Sequence, residues 1–210
     1  MKYKAFLFDF DGVIVDSMEL KLDSYCYAFE GYNLNKSEIR KMQINNAGFS
    51  RNVVIRNIYN QYISQVIKDT ELQNIIDRFC MRDRENSKKI PLITSTMEFL
   101  ERISGNYFTA VITGTPQPVI EETVKRLGIG KHFNRILGSP KLKSEHISDL
   151  IKETKYLRSE YIFIGDSKND QEAAINQNIR FIGFSNDSSV FEKNDNTIFS
   201  NDLRYICDSL

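Results

Sequence analysis

The sequence predicts an α/β protein: a doubly wound parallel sheet of Rossmann-like type, with an inserted α-helical cap domain. Three observations predict it. The apolar runs KAFLFDF, YFTAVIT, NRILG, YIFIGD and IRFIGF are short and continuous instead of alternating, as strands covered on both faces should be. From about Tyr107 onward they alternate with helix-like stretches, the rhythm of successive β-α-β units. Between about Met18 and Ser87 that rhythm stops, and helical patterns follow one another with no strand-like run between them.

The first run ends on Asp9 and Asp11, followed by Gly12. Burying carboxylates costs several kcal/mol unless they are paired, hydrogen-bonded or bound to a metal, so a compensating group is expected nearby. A local bend is expected at Asp11–Gly12, which glycine makes cheap. The helical patterns MELKLDSYCYAFEG, RNVVIRNIYNQYISQVI and ELQNIIDRFCMRDREN then define an insertion over 17–88, leaving a core of 1–16 and 89–210. The insertion follows the first strand on the side where strands end, so it is placed to cover whatever lies there. Its Phe and Tyr residues recur at helical spacing, as a core does.

The second run, YFTAVIT, ends in Thr113 beside Gly114. The stretch QPVIEETVKRLG after it carries Pro118 near its start and Gly128 at its end, the expected helix termination signals. The third, NRILG, leads into GSPKLKSEHI, where Lys141 and Lys143 precede a helix. The fourth, YIFIGDSKND, ends in Asp166, and Asp170 follows four residues later. Asp170 also completes a capping box with Ser167, a purely structural role open to it. After the fifth run, the polar stretch SNDSSVFEKNDN reads as a solvated loop.

Composition narrows the function classes. A hydrophobic content of 41% over 210 residues supports a real core. Lys+Arg and Asp+Glu balance at 28 each, so no global field points to nucleic acid or an anionic membrane. The N-terminal apolar run is broken by Asp9 and Asp11 before it can serve as a signal segment, and no stretch approaches a membrane span. Cys26, Cys80 and Cys207 are scattered outside any disulfide or zinc spacing. A reducing cytoplasm is the expected location. His132 and His146 lack partners at metal-ligand spacing, so surface or helix-face roles are expected.

Parallel strands deliver their carboxyl ends to one crevice. Four carboxylates, a hydroxyl and an ammonium can therefore converge there although they are far apart in sequence. The segment DFDGVIVDS, then Thr113, then Lys143, then GDSKND resemble, in that order, the four motifs of the haloacid dehalogenase (HAD) superfamily. The resemblance is to its helical-cap branch of phosphoglycolate phosphatases and β-phosphoglucomutases, and it covers the sheet-forming parts of the chain.

The resemblance implies that Asp9 is a nucleophile forming an aspartyl phosphate, and that Asp11 is general acid and then general base. It implies Mg2+ held by the Asp9 side chain, the Asp11 backbone carbonyl and Asp166, with Asp170 either ligating directly or standing behind the ligands. Thr113, Gly114 and Lys143 would bind the phosphoryl group, with Lys141 competing for the lysine role. Arg51 lies in a G-x-S-R segment similar to one that faces the active site in this branch; a solvated arginine is the alternative. Lys21 stands where the mutases carry a histidine whose hydrogen bonding a lysine cannot reproduce. Hydrolysis is thus favoured, with Arg51 and Lys21 engaging an anionic part of the substrate. A dehalogenase is disfavoured because that type lacks the second aspartate. The expected protein is a Mg2+-dependent phosphatase acting on a small phosphorylated metabolite, as a monomer or weak dimer. A sugar-phosphate mutase is the nearer alternative, and a catalytically silent binding protein of the same fold the farther one.

Overall fold

The computed structural model describes residues 2–64 and 66–208, with the backbone alone of Tyr205, Cys207 and Asp208. The Cys207 side chain therefore lies outside the described residues. Six parallel strands form one sheet: β1 (Ala5–Phe8), β2 (Phe108–Pro116), β3 (Arg135–Ser139), β4 (Tyr161–Gly165), β5 (Arg180–Phe184) and β6 (Thr197–Ser200). Their order is β3-β2-β1-β4-β5-β6. The five expected strands are present, and β6 adds an edge strand beyond them. From β1 the chain builds outward through β2 and β3, then crosses back to β4 on the other side of β1. This reversal opens a crevice beyond the carboxyl ends of β1 and β4.

Both faces of the sheet are buried, which explains the continuous apolar runs. Ala5 and Leu7 cluster with Ile147 and Leu150 of α7 (Lys143–Thr154) and with Ala173 and Ala174 of α8 (Lys168–Asn176). Phe6 and Phe8 take the opposite face, as alternate residues of a strand must. They meet Phe99 of α5 (Thr94–Ile103) edge-on at 5.6 and 6.0 Å. Each phenylalanine so buried contributes about 1.5–3 kcal/mol. Between β2 and β3 runs α6 (Gln117–Leu127), with Pro118 in its first turn and Gly128 left-handed at its end, φ 70°.

The stretch after β5 departs from a fully solvated loop. Phe191 is buried there, 5.5 Å from Phe181 and 5.8 Å from Phe199. A Cβ at Gly183 would come within 2.7 Å of the Phe191 ring, so the missing side chain makes room for this anchor.

The other four helices, α1 (Met18–Ala28), α2 (Lys36–Asn45), α3 (Arg51–Tyr62) and α4 (Asp69–Ser87), belong to a second compact unit, Asp16–Pro91. The first unit is Met1–Val15 with Leu92–Leu210. The division falls at 16–91 instead of 17–88 because Val15 still pairs with Leu92 in the first unit. The helical unit has its own core, in which Leu22, Phe29, Ile55, Ile58, Ile75 and Phe79 are buried together. Among the described residues no helix is long and apolar enough to cross a membrane.

Candidate active site

Beyond β1 the ladder continues for one residue, with the Asp9 N–H donating to the Ile164 carbonyl at 2.8 Å. The chain then folds back on itself. Ile14 N–H donates to Phe10 O at 2.9 Å and Gly12 N–H to Val15 O at 2.8 Å, with Gly12 at φ 79°. This is the bend expected at Asp11–Gly12. It leaves Asp9 only 3% exposed at the floor of the crevice. A Cβ on Gly12 would lie 1.9 Å from Asp166 Oδ2, so glycine is needed for the close approach as well as for the turn. Replacing Gly12 by Ala is expected to cost about 1–2 kcal/mol from the left-handed backbone alone and to push Asp166 aside. Thermal unfolding and calorimetric Mg2+ titration of Gly12→Ala check both effects.

Lys143 is the first residue of α7 and is buried. Its ammonium donates to Asp170 Oδ1 at 2.5 Å and lies 2.9 Å from Asp9 Oδ1. Lys141, two residues earlier, is exposed and pairs with Asp149 instead. Of the two candidate lysines, only Lys143 meets the aspartates. Asp170 is wholly buried and takes two roles at once, accepting from the Ser167 N–H at 3.2 Å in a capping box, reinforced by Ser167 Oγ at 2.5 Å, and accepting from Lys143. Gly165 makes room for it, since a Cβ there would come within 2.3 Å of Asp170 Cβ.

Asp9, Asp166 and Asp170 each offer an oxygen within 4.8 Å of the others. One ammonium thus pairs with two of these three carboxylates, Asp9 and Asp170. Burial, the Asp170 charge and, less strongly, the Asp11 charge push the Asp9 carboxyl up to about 7, and Lys143 offsets only part of this. Asp166 is raised well above the ordinary range, by loss of solvent first and then by Asp9 and Asp170. Burial works against the Lys143 ammonium, but Asp170 and Asp9 outweigh it and raise its pKa. Asp9 Oδ1 makes its ion pair with Lys143 at 2.9 Å and no further hydrogen bond among the described residues. An oxygen-only, net-negative cluster in which a buried carboxylate oxygen is met by a single ion pair fits a hard divalent cation.

Thr113, 2% exposed, ends the buried part of β2. Gly114 follows it, and the Thr115 N–H donates back to Thr113 Oγ1 at 3.1 Å. The Thr115 hydroxyl lies 3.2 Å from Asp11 Oδ2, so the Asp11 carboxylate meets β2 while that of Asp9 meets Lys143. Thr115 carries no motif signal of its own. Only the threonine repeat in ITGTP hints at it.

Arg51 and Lys21 belong to the helical unit, on α3 and α1. The Arg51 guanidinium sits over the Phe79 ring at 5.2 Å, donates to Cys80 Sγ at 3.1 Å and lies 3.8 Å from Asp83. A freely solvated arginine is therefore the wrong description. The two histidines correct the surface expectation as well, since both are buried. His132 Nδ1 is 3.1 Å from Ser104 Oγ, and His146 Nε2 is 3.0 Å from the Gly138 carbonyl. Burial lowers the pKa of both.

Comparison with known proteins agrees with this geometry. A profile of the haloacid dehalogenase-like hydrolase family matches residues 6–184. A phosphoglycolate phosphatase of Vibrio parahaemolyticus is 24% identical over 196 residues, covering 87% of this chain and 83% of that protein. A crystal structure of a predicted phosphoglycolate phosphatase from Haemophilus somnus superposes with a TM-score of 0.82 at 21% identity, over 100% of this chain and 98% of that one. A Thermotoga maritima structure provisionally assigned as a β-phosphoglucomutase gives a TM-score of 0.71 at 18% identity, over 98% and 97%. With the family profile spanning the sheet from β1 through β5, the chain belongs to the haloacid dehalogenase-like hydrolases.

Proposed function

We propose that the chain is a Mg2+-dependent phosphatase that hydrolyses a small phosphorylated metabolite through an aspartyl phosphate on Asp9. The observation that carries the reading is the cluster of Asp9, Asp166 and Asp170, two of them paired with the buried Lys143 ammonium, beyond the ends of adjacent parallel strands. In the first step an Asp9 oxygen bonds to phosphorus as the ester bond breaks. Asp11 gives its proton to the departing oxygen. In the second, water attacks phosphorus and gives its proton to Asp11, and the Asp9 carboxylate leaves with its electron pair. Thr113, the Gly114 backbone and Lys143 hold the phosphoryl oxygens through both steps. The carboxylates of Asp9, Asp166 and Asp170 and the Asp11 carbonyl would hold the cation. When bound, Mg2+ neutralises the nucleophile and phosphate together. Arg51 and Lys21 are assigned to an anionic part of the substrate. The scattered cysteines support a cytoplasmic setting, and the protein is proposed to act as a monomer or weak dimer.

A panel of phosphorylated sugars, short acids and nucleotides, with Mg2+ present and absent, tests the reading through release of inorganic phosphate. Phosphoglycolate belongs in the panel because the Vibrio relative is named for it. Isomeric sugar phosphates forming much faster than free phosphate would instead mark a mutase. Silence on every ester would mark a binding protein.

Metal binding has a readout independent of turnover. Protons and Mg2+ compete for Asp9 and Asp166, whose carboxyls are raised, Asp9 to about 7. Affinity should therefore rise as pH climbs through that value. At a Mg2+ concentration about 100 times Kd the stabilisation is about 2.7 kcal/mol, or about 5–10 °C in Tm. The Mg2+-induced shift is expected to be larger at pH 8 than at pH 5.5. Any contribution of His132 and His146 is the same with and without Mg2+ and drops out of the shift. An equal shift at both values would remove these carboxylates from the metal site.

A further inference from the structure

The Asp11 carboxylate is not one of the three that lie within 4.8 Å of one another, and it reaches the strand next to β1. Thr115, its partner there, is held on three sides. Its N–H donates to Thr113 Oγ1 at 3.1 Å. Its carbonyl packs so closely on Gly138 of β3 that a Cβ at Gly138 would lie 2.5 Å from it. The next residue but one, Gln117, takes the Gly138 N–H on Oε1 at 2.5 Å and gives Nε2 to Ile136 O at 2.8 Å. Its amide thereby bridges the gap where the β2–β3 register shifts between Ile112 and Pro116. The Thr115 hydroxyl is thus presented to Asp11 from a braced backbone.

We infer that Thr115 is a positioning residue that aims the acid/base carboxyl of Asp11, an assignment that rests on the phosphatase reading above. The chemistry follows from the donor. A hydroxyl that donates to Asp11 Oδ2 favours that oxygen as the carbonyl acceptor of the protonated acid, which assigns the transferable proton to Oδ1. In the first step the Asp11 Oδ1–H bond breaks as its proton passes to the leaving oxygen, whose bond to phosphorus breaks with the electron pair. In the second step Oδ1 takes the proton from the attacking water. Thr115 exchanges no proton in either step. It fixes which oxygen does, and it ties that choice to Thr113, which binds the phosphoryl group. The 3.2 Å separation is long for a hydroxyl donor, as catalytic hydrogen bonds are before substrate tightens them.

The variants Thr115→Val, which keeps shape and removes the donor, and Thr115→Ser, which restores it, decide the matter. Each is assayed with Mg2+ on two esters: the alkyl phosphate that the parental protein hydrolyses fastest in the panel, and p-nitrophenyl phosphate. The alkoxide of the first needs a proton to leave, whereas nitrophenolate leaves without one. For kcat/KM, which ends at loss of the leaving group, Thr115→Val is expected to fall about 10–100-fold on the alkyl ester and less than about 3-fold on the aryl ester. Thr115→Ser should return to within about 3-fold of parental on both. An equal loss on both esters, no loss on either, or a gain on the alkyl ester would overturn the assignment while leaving the phosphatase reading intact. If the parental protein hydrolyses neither ester, the phosphatase reading fails and the assignment of Thr115 falls with it.

Discussion

Asp9→Asn protein should fold as well as the parent, bind Mg2+ less tightly and turn over no ester, with a loss of about four orders of magnitude or more. The amide keeps the shape of the side chain but has no anionic oxygen to give to phosphorus. Two effects that usually travel together separate here. Asp9 is buried among other carboxylates that already favour its neutral form, so a permanently neutral group at this place relieves repulsion. Asn can still offer its carbonyl oxygen to Lys143, which lies 2.9 Å from Asp9 Oδ1. Without added metal, Tm is therefore expected to stay level or rise while turnover disappears. Circular-dichroism melting beside a phosphate-release assay checks the pair of outcomes. Near-parental turnover would remove Asp9 from the nucleophile role; lost turnover together with lost stability would make it a structural residue.

The sheet was legible because its central strands are buried on both faces, and that constraint writes itself as unbroken apolar runs. β6 escaped the same signal. Its four residues, Thr197–Ser200, are all half-buried at the edge of the sheet, where neither face demands a fully apolar run. Phe191 escaped for a related reason, since one anchor inside a polar stretch alters the composition little. In the helical unit the long amphipathic segments were readable. The start of α2 rests on local chemistry instead, the Asn35–Glu38 capping box.

The site divides along the same line. Asp9, Asp166 and Lys143 each follow a strand and Thr113 lies in the last half of one, and parallel strands bring their ends together, so order along the chain was enough to nominate them. What spacing could not supply was which groups touch across strands. Thr115 acquires its partner only because β2 pairs with β1 and the chain turns back after Asp11. Arg51 acquires its own partners from α4, where Phe79, Cys80 and Asp83 present one side to it. His146 does lie on a helix face, that of α7, but its burial was not legible because its acceptor, the Gly138 carbonyl, lies on another element. In each case the missing information is a contact between segments distant in sequence, to which composition and period are blind.

Lys143 is where charge balance and chemistry meet in one side chain, and substitution can pull them apart. Lys143→Met removes the ammonium and leaves Asp9 and Asp170 buried without their cation. Breaking a buried pair in this way costs about 3–5 kcal/mol, which for a chain of this size is about 6–20 °C in Tm. Turnover should fall at least about 100-fold, as it does when one preorganised donor to a developing charge is lost. Adding Asp170→Asn withdraws one uncompensated carboxylate and keeps an acceptor for Ser167 Oγ. The double variant should therefore regain much of the stability and none of the turnover. Lys141→Met supplies the contrast: its ammonium is exposed and pairs with Asp149, so stability should stay within about 0.5 kcal/mol and turnover at the parental level. Melting curves and kcat for the parent, Lys143→Met, Asp170→Asn and the double variant form a double-mutant cycle, with Lys141→Met as the exposed control. If Lys143→Met melted like the parent, the ammonium would not be compensating these carboxylates. If it retained turnover within about threefold, the phosphoryl group would be held by something other than this lysine, and the loss of stability alone would describe its role.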